Sequence, residues 1–145
     1  MRSFPLFLVL ALAAGALLAA PVPKELVRAN DGRRILGTWK MEGLSIRGGA
    51  VDRGDTNTSF RFGADGTCGI SHGESEMPAQ FALDPKATPR RMKWLNGPEK
   101  TEWRCLYELE GDSLKVCFVD MKVELPAKLE PGPTATIYYL KRVNE

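Results

Sequence analysis

Apolar and polar residues alternate with period two through residues 103–119, and this stretch is the clearest β-hairpin in the chain. Trp103, Cys105, Tyr107 and Leu109 share one side of the first arm, and Leu114, Val116 and Phe118 share one side of the second. Arg104, Glu108, Ser113 and Lys115 fall opposite, so each arm reads as a strand with one buried and one wet face. Between the arms, Glu110-Gly111-Asp112 holds residues that tolerate positive φ, and pairing Leu109 with Leu114 brings both apolar sets to one side.

The same punctuation divides the rest of the chain into short strands. Residues 37–46 alternate until Gly43 and then change phase, which predicts a strand with a bulge at that glycine. Arg47-Gly48-Gly49 is read as a turn rather than an RNA-binding segment. Residues 58–62 and 67–71 flank Gly63-Ala64-Asp65-Gly66 and predict a second hairpin. Further strands are expected at 80–83 and 91–95, parted by Asp84-Pro85 and Thr88-Pro89, and a closing strand at 134–142 follows a proline-bearing loop at 124–133. Roughly eight short strands with tight turns and almost no helix predict an all-β protein, a single antiparallel up-and-down barrel. Closure leaves no exposed edge.

Ahead of the strands, residues 1–20 combine an early Arg2, an apolar run from Phe4 to Leu18 and a small-residue end at Ala19-Ala20. This is the pattern of a secretory signal peptide, and the run is shorter than the ~20 residues of a membrane span. Cleavage is expected between Leu17 and Val22, and an uncleaved anchor is the alternative. Residues 21–36 form an extended leader and a short helix, and 37–145 the barrel. The mature chain, periplasmic or secreted, is then one domain, without a membrane span and expected to be monomeric.

Composition narrows the partners. A formal net charge of +2 with interspersed signs provides no footprint for nucleic acid. Three cysteines, Cys68, Cys105 and Cys117, cannot all pair within the chain. Cys105 points in and Cys117 out, a poor geometry for a disulfide, while a bond to Cys68 and free thiols both stand as readings. With one His and no Cys-x-x-Cys, no metal or other cofactor is expected.

Gly37-Thr38-Trp39 after a short helix, with Arg142 near the end of the last strand, resembles the Gly-x-Trp and C-terminal Arg pair of lipocalin-like barrels. That resemblance implies Trp39 plugging the barrel base with Arg142 across its ring, a cation–π contact. More broadly, Leu36-Gly-Thr-Trp39, Phe81-Ala-Leu-Asp84-Pro85, the run from Leu106 through Tyr107-Glu-Leu-Glu-Gly-Asp112 to Phe118, and Leu140-Lys-Arg142 resemble an uncharacterised lipocalin-like domain family abundant in planctomycete bacteria. The chain departs from that pattern at Met92-Lys93-Trp94 and Leu125-Pro126, where the family tends to carry Ile-Asp and Arg-Pro. The resemblance implies a fold and an exported bacterial setting, and brings no activity with it.

Candidate chemistry is sparse. Gly69-Ile70-Ser71-His72-Gly73 spells a nucleophile elbow, but that motif needs a strand-to-helix turn in an α/β sheet and a remote His, and here the single His adjoins Ser71. An esterase using Ser71 is the remote alternative, and no catalytic residue is assigned. His72-Gly73-Glu74-Ser75-Glu76 reads as a solvated acidic loop. Phe60, Phe62, Trp94, Trp103, Tyr107 and Phe118 are the candidate ligand-binding residues, lining a cup for a small hydrophobic molecule or an envelope component. A solid packed core, with a structural or protein-interaction role, is the competing reading.

Overall fold

The structure, a computed structural model, describes residues 30–54 and 57–144. The expected leader at 1–20 and most of the segment that follows it lie outside the described residues. Eight strands follow a single helical turn, α1 (Asp31–Arg34): β1 (Gly37–Ile46), β2 (Thr58–Phe62), β3 (Thr67–His72), β4 (Ser75–Asp84), β5 (Arg91–Asn96), β6 (Thr101–Glu110), β7 (Ser113–Val119) and β8 (Ala135–Arg142). Each pairs antiparallel with its neighbour in sequence, and β8 returns to β1, closing an up-and-down barrel. Among the described residues no helix is long and apolar enough to cross a membrane.

Alternation decides which side chains enter the barrel. Trp39, Met41, Phe60, Phe62, Cys68, Ala79, Met92, Trp94, Cys105, Tyr107, Leu109, Leu114, Val116 and Leu140 form its buried core together with Ile35. Leu109 pairs with Leu114, and the two-residue turn between the arms carries Gly111 at φ 56°, a conformation that glycine adopts without steric cost. The pairing of β1 with β8 shifts register between Met41 and Gly43, so Glu42 is the extra residue of a bulge and the alternation resumes one residue later.

The wet outer face expected of the central hairpin is dry over part of its length. Leu106, Cys117, Val119, Ala135 and Ile137 form a second buried cluster outside the barrel, covered by Val123, Leu125 and Leu129 from the β7–β8 connection. Arg104 pins that connection by donating to the carbonyls of Asp120 (2.9 Å) and Val123. Cys117 does face outward, yet it is buried under this cover, and all three cysteines are free.

Two expectations need correction. The strand placed at 80–83 begins at Ser75, because Pro78 lies opposite Gly69 in the ladder, on a face where most of β4 is open to solvent. The acidic loop placed at 72–76 is therefore a hairpin turn: His72 pairs with Ser75 and Ser71 with Glu76.

Candidate ligand-binding cup

The turns joining β2 to β3, β4 to β5 and β6 to β7 lie with α1 at one end of the barrel, and the other four connections lie at the opposite end. The first end is sealed. Gly37, at φ 114°, turns the chain from α1 into β1 and sets Trp39 across the interior, where its indole N–H donates to the Ile35 carbonyl at 2.8 Å. Trp39 and Arg142 are register partners, and the guanidinium lies 4.3 Å from the ring centroid. The same guanidinium donates to the carbonyls of Leu36 (2.9 Å) and Arg34 and to the Asp112 carboxylate (3.2 Å).

A buried ionic cluster completes the seal. Asp31, fully buried, accepts from the Tyr107 hydroxyl at 2.8 Å, from Arg90 at 3.1 Å and from Arg34 at 3.4 Å. Arg90 also lies over the Tyr107 ring. Burial, with the Asp31 carboxylate beside it, pushes the Tyr107 hydroxyl well above the usual phenol range. Tyr107 is thus a base residue, and its expected place in a ligand cup is wrong.

The opposite end holds an open cavity of about 230 Å³, lined by Ile70, Met77, Trp94, Asn96, Trp103, Phe118, Thr136 and Tyr138. Every one of these residues sits at an inward position on β3 through β8. Of the expected lining, Trp94, Trp103 and Phe118 are present, whereas Phe60 and Phe62 lie deeper, buried to 0% and 2% exposure. Phe60 packs behind the lining, its ring 5.0 Å from Tyr138 and 5.8 Å from Trp94. The lining rings meet edge to face: Trp94 with Phe118 at 5.6 Å, Phe118 with Tyr138 at 5.6 Å and Trp103 with Phe118 at 6.5 Å, the arrangement that aromatic quadrupoles favour. Ile70, Met77, Asn96, Thr136 and Tyr138 are additions to that lining: alternation along β5 places Asn96 on the face of Trp94, whereas β3, β4 and β8 carry none of the expected lining residues.

The other candidate motifs do not assemble. Ser71 lies on the outer face of β3 between Ser59 and Glu76, and His72, the next residue, is turned to the opposite face. There the Thr58 hydroxyl is 3.0 Å from His72 Nδ1, and Glu76 is held by Arg61. Burial pushes the Cys68 thiol up to about 12 and that of Cys117 to about 11, the opposite of an activated nucleophile. Among the described residues no group of three or more His, Cys, Asp or Glu is placed to hold a metal ion. The chain matches no protein-family model and no curated protein.

Proposed function

We propose that this chain is an exported, lipocalin-like binding barrel that holds a small hydrophobic molecule or envelope component in its open cup and performs no catalysis. The observation behind this reading is the cup itself: a largely apolar cavity with a few polar groups, at the mouth of a barrel whose other end is plugged. The Gly37-x-Trp39 plug with Arg142 over its ring supports the lipocalin-like assignment. Native mass spectrometry of protein purified from its own host should reveal a small-molecule adduct, lost in a Thr136→Trp variant that fills the cup. Ligand-free monomer in every preparation would overturn the reading.

A second role is favoured by one feature. Ile46, Met77, Trp103 and Met121, exposed at 59%, 56%, 38% and 51%, all stand at or near the open end, where an apolar rim would suit contact with another protein. Ligand-free protein that retains a stable partner in its host would favour this interaction module over the binding barrel.

A further inference from the structure

Resting on the binding reading, we infer that the cup takes a neutral, flat ligand of one or two fused rings carrying one hydrogen-bonding group, and not a long acyl chain. Size and depth argue first. An apolar cavity of about 150 Å³ accommodates benzene, and this one measures about 230 Å³, room for a little more than one ring. Its depth ends at the rings of Trp94 and Tyr138, with fully buried Phe60 behind them and packed core from there to Trp39. A long chain would leave most of its methylenes in water.

The wall chemistry argues next. Trp94, Trp103, Phe118 and Tyr138 meet at 70–76° between planes, offering both ring faces and ring edges to a flat π system. Among the described residues no charged side chain lines the cup, so a carboxylate or ammonium would lose water without gaining a counter-charge from them. Asn96 on β5, with Thr136 and Tyr138 on β8, provides the polar groups, and none of their side chains hydrogen-bonds to protein among the described residues. Those donors and acceptors remain for a ligand.

The three tryptophans supply the test, because each indole N–H gives its own NMR signal. Titration with 2-naphthol should shift the Trp94 and Trp103 signals and leave Trp39, sealed in the base, unmoved. It should bind about tenfold tighter than naphthalene, the worth of one hydrogen bond. The Asn96→Ala/Thr136→Val/Tyr138→Phe variant should lose that margin while still binding naphthalene, its unchanged Trp39 signal reporting an intact fold. Decanoate saturating the same signals at lower concentration than 2-naphthol, or a margin that survives in the variant, would overturn the inference and leave the binding reading standing. No shift with any of the three probes would overturn the binding reading itself.

Discussion

At the scale of single residues, Trp39 and Arg142 carry the argument for closure. They lie at opposite ends of the domain in sequence, and only the pairing of β1 with β8 sets the guanidinium 4.3 Å from the indole centroid. Trp39→Ala removes a fully buried indole and should cost about 3–5 kcal/mol in denaturant unfolding, with Arg142→Ala costing less. The double mutant should show coupling of more than about 0.5 kcal/mol, and strict additivity would mean that the contact carries no energy. The cysteines give a second prediction. Folding raises all three thiols above their ordinary value of 9.0, Cys117 to about 11, Cys68 to about 12 and Cys105 well above it, chiefly by burial. The folded chain therefore keeps protons that the unfolded chain releases above pH 9, so the thiol contribution is intact below that pH and is lost as pH rises through the folded values. Tm should fall between about pH 8 and pH 10.5, and fall less steeply in Cys105→Ala. The same slope in both proteins would remove Cys105 as a source of it. Iodoacetamide should label none of the three in the native protein and all of them in denaturant.

At the scale of elements, the turn α1 holds to the barrel through Asp31 rather than through helix propensity, since four residues make too short a helix to persist alone. Asp31→Ala leaves Arg90, whose side chain is 11% exposed, without its carboxylate, and breaking a buried pair in this way should cost about 3–5 kcal/mol in chemical unfolding. A loss under about 1 kcal/mol would show that α1 is dispensable to the base. The β7–β8 connection is a second such element, and Arg104→Met, which frees the carbonyls of Asp120 and Val123, should cost about 1–3 kcal/mol. Elements of these two kinds differ in how well a sequence announces them. The β6–β7 hairpin was legible because strict alternation and a Gly-Asp turn agree. The front of β4 was not, since Ser75-Glu76-Met77-Pro78 has neither alternation nor strand propensity and pairs only because β3 lies beside it. The cover over β6 to β8 left one trace, the unbroken apolar run Val116-Cys117-Phe118-Val119, which marks a strand buried on both faces. Alternation reports which side chains enter a barrel, but not at what height. That is why Trp94, Trp103 and Phe118 were found for the cup while Phe60, Phe62 and Tyr107 were misplaced in it.

At the scale of the whole molecule, the barrel is unequal around its circumference, and this predicts how it opens. Strands β6, β7 and β8 are buried on both faces, against the inner core and beneath the β7–β8 connection. Strands β3 and β4 contribute no residue to the outer apolar cluster, and from Ser75 to Pro78 every residue of β4 is exposed. Local opening should follow that difference, because a segment with few buried apolar contacts separates from its neighbours at a free energy far below that of global unfolding. In native-state hydrogen exchange the slowest amides should therefore lie in β6, β7 and β8, and the β3–β4 hairpin should exchange by local opening well before them. The cup spans both regions, with Ile70 and Met77 on the loosely held side and Phe118, Thr136 and Tyr138 on the firmly held one. A ligand bridging the two walls would favour the closed arrangement by mass action. Saturating 2-naphthol should accordingly slow exchange in β3–β4 more than in β7–β8. Equal protection in both hairpins would show that the cup is rigid throughout, and slower exchange in β3–β4 than in β7–β8 without any ligand would contradict the asymmetry itself.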